Sequence, residues 1–515
     1  MTSTHRPRAS ASTEVELKFR IPPARLEALR RELMALHPAR TVLRARYADT
    51  AEGLLARHGL SLRVRQEDAG WVQTLKAPGV GTVDREEHAV RLDGAASATP
   101  EPVPDRHAGT AAHAQLMALL AGAGPRDAVD LRVRHATDVV RHAVTVQQGA
   151  ATVELALDTG RADAGEASRP IQEIEFELKA GTSADLVAVA LPWVARFGLW
   201  LDVVSKGERG DLLARSQAFA APTHAAAPEA VSNEPRRFAR EVVAGCLRQV
   251  LRNASEVAGG SDDPDHVHQL RVGLRRLRTA LRELAPLNAA LDPGWEAPLA
   301  DAFRDLGRLR DETLLATKMG KALSKAGAPP LRTPPAPAAG PGADAIVTAG
   351  PLQATLLALL AFTLGPDDAD ALAYEGDALG AVGARLDRLR RRIRQQIRHF
   401  DTLPADAQHD VRKRLKRLRY LAEFIAPAYR RGAVSAYFDD LKPAQDALGE
   451  HNDEATALAH FRDRAAHDPN AWFAVGWLTA RQPLTAAAAA RALRTAGRAE
   501  PFWHGTPKHV VPAAR

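Results

Sequence analysis

Residues 14–18 read Glu14-Val15-Glu16-Leu17-Lys18, two carboxylates and an ammonium on alternate positions with apolar residues between them. Side chains of a strand alternate between its two faces. As a strand, this run puts Glu14, Glu16 and Lys18 on one face and Val15 and Leu17 on the other. Two structures accommodate that pattern: a solvated edge strand, or the wall of a polar tunnel. In a tunnel wall the carboxylates suit Mg2+ or Mn2+, and the ammonium suits a phosphate oxygen.

Working outward, the chain has 515 residues, 45% hydrophobic and 25% charged, ordinary for a globular protein of two to four domains. Its one cysteine, Cys246, excludes an intramolecular disulfide framework and predicts a reducing, cytoplasmic setting. No signal-peptide core and no apolar run of membrane-spanning length is evident, so no membrane partner is expected. Met1–Ser12 reads as a short disordered arm. The net charge of +7 is uneven: residues 1–232 carry 28 Lys and Arg against 29 Asp and Glu, and residues 233–515 carry 41 against 33. A basic second half calls for a polyanionic partner.

Two composition shifts divide the chain. Residues 216–232, rich in Ala and Pro, read as a linker, and residues 325–350, rich in Pro, Ala and Gly, as a disordered internal loop. Before the linker, strands are predicted at 14–20, 43–49, 60–66, 70–76, 85–92, 131–142, 151–158 and 171–179, with helices at 22–36, 110–122 and 183–197. So many strands with few long helices predict an antiparallel barrel or tunnel. From residue 233 the pattern is helical, up to a tail at 501–515.

The helical half repeats itself. His268-x-x-Arg271-x-x-x-Arg275-Arg276-Leu277-Arg278 is answered by His409-x-x-Arg412-x-x-x-Lys416-Arg417-Leu418-Arg419, and Leu306-Gly307 by Leu448-Gly449. Two motifs recurring in one order predict a duplicated unit: two pseudo-symmetric helical bundles. On a helix, with His268 at zero, Arg271, Arg275 and Arg278 fall at about 300°, about 340° and about 280°. Leu270, Leu274, Leu277 and Leu281 gather between about 180° and about 240°. An apolar stripe thus packs the bundle beside a narrow stripe of His and Arg, and His409, Arg412, Lys416 and Arg419 repeat the geometry.

A third helix, Arg385 to Arg398, holds seven arginines against one acid, Asp387. Like charges on one face cost about 0.2–0.5 kcal/mol per pair, which a bound polyanion offsets. Readers of nucleic acid interleave aromatics for stacking. Aromatics make up 5% of this chain and the first basic helix has none, so a polymer made only of phosphate fits better than nucleic acid.

These residues resemble two families joined in one chain. Residues 13–215 resemble the CYTH superfamily, or triphosphate tunnel metalloenzymes, through the signature Glu14-x-Glu16-x-Lys18. The resemblance continues through Tyr47-x-Asp49-Thr50, Leu62-Arg63-Val64-Arg65 and Thr74-Leu75-Lys76. It runs on through Arg85-Glu86-Glu87, Leu157-Asp158, Glu173-x-Glu175-x-Glu177 and Ser205-Lys206-x-x-Arg209-Gly210. Residues 233–500 resemble the CHAD family through the His-x-x-Arg repeat and the paired Leu-Gly motifs. CHAD domains are associated with inorganic polyphosphate, and the pair in this order resembles bacterial inorganic triphosphatases.

The resemblance implies a multidomain α+β chain: an eight-stranded antiparallel tunnel barrel with helices, then an all-α domain of two bundles. It implies hydrolysis of inorganic tripolyphosphate to pyrophosphate and phosphate. A small, highly charged anion needs cations converging from several strands. Lys18, Arg63, Arg65, Lys76, Arg134 and Lys206 are the expected catalytic lining, with Arg134 preferred to Arg132 by the family match. Carboxylates there would repel the substrate unless divalent ions intervened. Glu14, Glu16, Asp158, Glu173 and Glu175 are the expected ligands of Mg2+ or Mn2+, one ion neutralising phosphates and a second activating water. Glu86 or Glu87 would orient a cation. His268, Arg271, Arg275, Arg278, His409, Arg412, Lys416 and Arg419 would bind polyphosphate. Arg209 reads as a structural partner, Tyr47 as a phosphate contact or wall packing, and His88, His135 and His142 as surface residues. Two alternatives stay open: a non-catalytic binder of polyphosphate granules, and a CYTH enzyme for an organic triphosphate, namely a thiamine triphosphatase or adenylate cyclase.

Overall fold

The computed structural model describes residues 12–67, 70–78, 84–92, 99–123, 130–228, 230–314, 319–330, 341–365, 376–508 and 510–511. The expected N-terminal arm, apart from Ser12, and residues 331–340 of the expected internal loop lie outside the described residues; Ala343–Val347 within that loop is a helix.

The chain forms two compact units. The first holds residues up to 223 together with 247–270 and 347–365; the second holds 224–246, 271–346 and 366–515. The first is built on an antiparallel sheet: β1 (Ser12–Arg20), β2 (Ala39–Asp49), β3 (Ser61–Glu67), β4 (Gly70–Pro78), β5 (Asp84–Leu92), β6 (Arg132–Gln148), β7 (Ala151–Ala164), β8 (Ala167–Ala180) and β9 (Trp200–Leu201). The order is β5-β4-β3-β2-β6-β7-β8-β1-β9, and β5 also pairs with β1. Eight strands thus close a ring, and the expected count of eight is corrected to nine by β9, which lies along the end of β1 with Phe19 opposite Leu201. Two residues are too few to show a period of two, so sequence reading misses it.

Alternation decides what the ring encloses. In β3, Leu62 and Val64 are fully buried on the outer face, while Arg63 and Arg65 point inward. The outer face of β3 and β4 packs through Leu62, Leu75 and Ala77 on Ala112, Leu116 and Leu120 of the helix Ala111–Ala123. Across the sheet, Phe19 meets Phe176 edge to face at 5.6 Å, and Phe176 meets Trp193 at 6.2 Å. Trp193 belongs to the helix Ser183–Phe197, which starts in a capping box between Thr182 and Asp185 and ends at Gly198 with φ 63°. The barrel is therefore apolar outside, under helices, and charged inside.

Two hairpins fix the register of the charged wall. β6 turns into β7 at Gly149 (φ 60°) and β7 into β8 at Gly165 (φ 58°), each the first residue of a two-residue turn where positive φ is required. Counting back from these turns sets Arg141 opposite Asp158, and Asp158 opposite Glu173.

The stretch expected as a linker crosses from the first unit to the second after residue 223, and its first part is pinned within the first unit. Thr223 N donates to Asn253 Oδ1 (3.1 Å), Asn253 Nδ2 donates to the Thr223 carbonyl (2.8 Å), and His266 Nε2 lies 2.9 Å from the Ala220 carbonyl.

The second unit is helical. The helices Arg431–Arg464 and Ala471–Ala496 pack together. Phe502 and Trp503, in the stretch expected as a tail, are buried against Tyr437 with ring centroids 5.5 and 5.0 Å away. Val510–Val511 pairs in parallel with Val231–Ser232. Among the described residues no helix is long and apolar enough to cross a membrane.

Candidate active site

The ring encloses a cavity of about 290 Å3. β3 and β4 stand across it from β8 and β7, four places away in the ring of eight. The near wall contributes Arg63, Arg65 and Lys76; the far wall contributes Glu154, Asp158, Glu175 and Glu177. β1 adds Glu16 and Lys18, and Lys206 enters from the first turn of the helix Lys206–Ala214, capped by Ser205.

Three carboxylates converge. Asp158, Glu173 and Glu175 are buried, and one oxygen from each lies within 4.8 Å of the others. Lys206 Nζ sits among them, 2.7 Å from Asp158, 2.6 Å from Glu173 and 2.5 Å from Glu175. Arg141 donates to both oxygens of Asp158 and to Glu175. Burial pushes the Glu175 carboxyl up, but Lys206 and then Arg141 outweigh it and hold it well below the carboxylate range. Burial lowers Lys206, but the three carboxylates raise it far more. Glu175 and Lys206 are thus ionised at neutral pH. A donor set of hard oxygens already gathered around one compact cation also fits a divalent ion.

Lys18 donates to the Val204 carbonyl and lies 3.6 Å from both Glu173 and Asp202. Lys76 pairs with Glu87 at 2.7 Å, and Arg65 Nε donates to Glu67 at 2.7 Å. Arg63 donates to the Tyr47 hydroxyl at 3.4 Å. Burial raises the Tyr47 pKa, and Arg63, Lys206 and Arg65 turn the net shift downward. Glu14 lies on β1 opposite Arg85, with its side chain outside the described residues.

Arg134 does not line this cavity; Arg141, which sequence reading passes over, does. The β2–β6 register shifts between Tyr47, opposite His135, and Ala48, opposite Val133, leaving Arg134 as the extra residue of a bulge. His135, Thr137, Val139 and Arg141 then share the inner face. His135 is no surface residue: it is buried and stacks on Tyr47 at 4.5 Å. Gly207 and Gly210 of the neighbouring helix leave room for the pair. A Cβ on Gly207 would come within 3.0 Å of the Tyr47 ring, and one on Gly210 would overlap His135. His88 and His142 are also buried, and His88 Nδ1 lies 2.8 Å from His107 Nδ1. Arg209 bridges Glu256 (2.6 Å) and Asp202 (3.4 Å), a structural partner as its position in the sequence implies.

In the second unit Arg271, Arg275, His409 and Arg412 line one cavity of about 580 Å3. His268, Arg278, Lys416 and Arg419 are not among its lining; Arg278 pairs with Glu296 at 2.8 Å and Arg419 with Glu423 at 2.7 Å. Gly307 of the first Leu-Gly motif makes space for the Arg271 guanidinium, where a Cβ would overlap it. Asn452, three residues beyond Gly449, accepts through its Oδ1 from His409 Nδ1 at 2.7 Å. Phe303, from a different helix, lies under Arg271 at 4.5 Å and Arg275 at 5.0 Å, an aromatic platform that the basic helix itself gives no sign of.

The sequence matches the CYTH domain family over residues 12–191 and the CHAD domain family over residues 241–462, together more than three quarters of the chain. It is 30% identical over 213 residues to an inorganic triphosphatase of Haemophilus influenzae, an alignment spanning 40% of this chain and 56% of that protein. The chain thus spans just over half the length of that curated relative. Among solved structures it is similar to the CHAD domain of the plant Ricinus communis (24% identity, 55% of this chain and 98% of that one, TM-score 0.44). It is also similar to a Hippeastrum protein described as an adenylyl cyclase with a dominant triphosphatase activity (19% identity, 40% and 96%, TM-score 0.26). Residues 12–191 are a CYTH domain and residues 241–462 a CHAD domain, and the chain belongs to the proteins that join these two families in that order.

Proposed function

We propose that the chain is a divalent-cation-dependent triphosphatase that cleaves inorganic tripolyphosphate to pyrophosphate and phosphate. The observation that carries this reading is the division of the cavity: Arg63, Arg65 and Lys76 on one wall face Asp158 and Glu175 on the other. The arginines and the lysine bind and orient the phosphates, Arg by its planar fork and Lys as a point charge. The carboxylate wall repels the substrate's charge unless a cation intervenes. Asp158, Glu173 and Glu175, with Glu16 beside them, are the residues that would hold Mg2+ or Mn2+. Such an ion supplies charge neutralisation at the phosphates and a water of lowered pKa. Phosphoryl transfer needs in-line placement and charge stabilisation more than covalent help, and a closed, charged ring supplies both. Lys18, tied to Glu173 and Asp202, positions the carboxylate wall.

In the helical half, the cavity with Arg271, Arg275, His409 and Arg412 supports binding of inorganic polyphosphate. The expected domain limits, 13–215 and 233–500, are proposed as limits along the sequence.

Phosphate release from tripolyphosphate, ATP and thiamine triphosphate, with Mg2+ or Mn2+, tests the first reading. Metal-dependent release from tripolyphosphate in the wild type, and its loss in Arg63→Ala, is the expected result. Preference for ATP or thiamine triphosphate would move the reading to an organic substrate, and no release from any of the three would overturn it. For the second reading, Arg271→Ala with Arg412→Ala should weaken retention on immobilised polyphosphate; unchanged retention would overturn it.

A further inference from the structure

Six large hydrophobic side chains are exposed among the described residues, and three of them share one face of the helix Ala471–Ala496: Trp472 (61% exposed), Phe473 (36%) and Leu484 (67%). The opposite face of that helix is buried, with Ala474, Val475 and Leu478 packed on Ala457, Leu458 and Phe461 of the helix Arg431–Arg464. With Trp472 at zero, those three buried residues fall between about 200° and about 300°. Phe473, Gly476, Ala480, Pro483 and Leu484 fall at about 100°, about 40°, about 80°, about 20° and about 120°. All five are exposed, so one continuous apolar face looks outward over more than three turns. Contiguous apolar surface of this kind marks a place where something docks.

The face carries no charge. Arg481, the one charged residue between Trp472 and Arg491, lies off it at about 180°. Its guanidinium stacks over Trp477 at 4.8 Å and pairs with Glu454 at 2.6 Å. The face is also shallow at its middle. Gly476 stands well inside the helix, where glycine costs stability relative to alanine. A Cβ there would meet nothing within 4 Å among the described residues. Packing inside one chain therefore gives no reason for the glycine, whereas close approach of another backbone does.

We propose that this face pairs with the same face of a second copy of the chain, the two helices running antiparallel about a twofold axis level with Leu478. The spacing is self-complementary. Trp472 of one copy stands opposite Leu484 of the other, Phe473 opposite Pro483, and Gly476 opposite Ala480, each pair being equidistant from Leu478. Twofold symmetry makes every one of these contacts twice. The two small residues meet near the axis, where the backbones come closest, and the large ones close the ends. No charge is buried and no like charges are set against each other. The face covers roughly 500 Å2 per copy and about 1,000 Å2 in the pair, at the lower limit for a specific interface. The pair is therefore weak and forms as concentration rises.

Sedimentation equilibrium of the full chain tests the pairing. The weight-average mass should rise from that of one chain toward that of two, with half of the chains paired at about 10–100 µM. Leu484→Glu sets a carboxylate against Trp472 at both ends and should weaken pairing about tenfold or more. Gly476→Leu should weaken it as much by blocking the close approach, with no fall in the thermal midpoint, because nothing in the same chain stands in its way. Leu484→Glu mixed with Trp472→Lys should pair more tightly than either variant alone, since the antiparallel register brings the two introduced charges together. A wild type that keeps the mass of one chain across that range would overturn the proposal. So would a dimer that Leu484→Glu and Gly476→Leu both leave intact. A monomer that binds vesicles of anionic phospholipid, and no longer does so in Leu484→Glu, would give the face to a membrane surface and overturn the pairing.

Discussion

Arg141 holds both oxygens of Asp158 along one edge of its guanidinium, Nε to Oδ1 at 2.8 Å and Nη2 to Oδ2 at 2.6 Å, while Asp158 itself is fully buried. The pair is a cross-strand neighbour in the β6–β7 ladder, so backbone register and side-chain charge reinforce one another. Lys206 still pairs with Asp158 at 2.7 Å when Arg141 is removed, so the loss is that of two charged hydrogen bonds to a buried carboxylate, about 1–3 kcal/mol. Arg141→Leu should lower the free energy of urea unfolding by about that amount, and Arg141→Lys, which keeps charge without the fork, should recover part of it. A loss below about 1 kcal/mol would mean that water screens Asp158 as it does a surface ion pair.

Lys206 occupies the centre of the three carboxylates, so a divalent ion bound there competes with it. In Lys206→Ala, calorimetry without substrate should find the ion bound roughly tenfold more tightly, about 1.4 kcal/mol. Chelation with EDTA should stop phosphate release from the wild type, and added Mg2+ or Mn2+ should restore it. Unchanged ion affinity in Lys206→Ala would place the ion elsewhere.

Gly210 faces the His135 ring with no room for a side chain, whereas nothing lies near Gly122 in the helix Ala111–Ala123. Gly210→Ala should therefore cost about 1–3 kcal/mol through overpacking. Gly122→Ala should add about 0.5–1 kcal/mol through helix propensity and lost chain entropy. Thermal unfolding of the two variants gives opposite shifts if the stacked Tyr47–His135 pair is as tight as described.

Two of the buried histidines contribute to the acid limb of stability. Burial, then the neighbouring His88, brings the His107 pKa down to about 4, and burial does the same for His135. The unfolded chain takes up these protons near pH 6.5, the folded chain only near pH 4. The unfolded state thus binds more protons between those values, and stability falls as pH drops through that window and levels off below it. Each group contributes on the order of 1–3 kcal/mol. Glu175, whose pKa is lowered, gives up its contribution only as pH falls below the ordinary carboxylate range. Lys206, whose pKa is raised, does so only as pH rises above the ordinary lysine range. Urea midpoints measured from pH 7 to pH 4 should show a shallower slope in His107→Gln than in the wild type; parallel slopes would assign the acid limb to other groups.

All eight long strands are legible in the sequence because a charged interior and an apolar exterior force a period of two. Their ends are less so. β6, β7 and β8 run several residues past the predicted limits, where Gln147, Gln148, Arg161 and Ser168 are solvated and the alternation fades. Arg141 carries no motif of its own. Its signal is the register set by the Gly149 turn, which places it opposite Asp158 once the turn is recognised. Arg134, favoured by family likeness, sits at a bulge that no local pattern announces. Phe303 escapes sequence reading for another reason: it reaches Arg271 from the following helix, Glu296–Leu314, and only packing brings the two together.

The first unit is sewn from three pieces of chain. Leu201 N donates to Gln353 Oε1 at 2.9 Å, Val203 N to Ser255 Oγ at 3.1 Å, and Arg209 to Glu256. A gene fragment ending near residue 215 would encode every residue of the barrel and none of those three partners. The order of the two families along the chain is therefore not a seam along which they can be exchanged. Recombination that moves the CYTH part to a new host must carry residues 247–270 and 347–365 with it, or find a host that already supplies their equivalents.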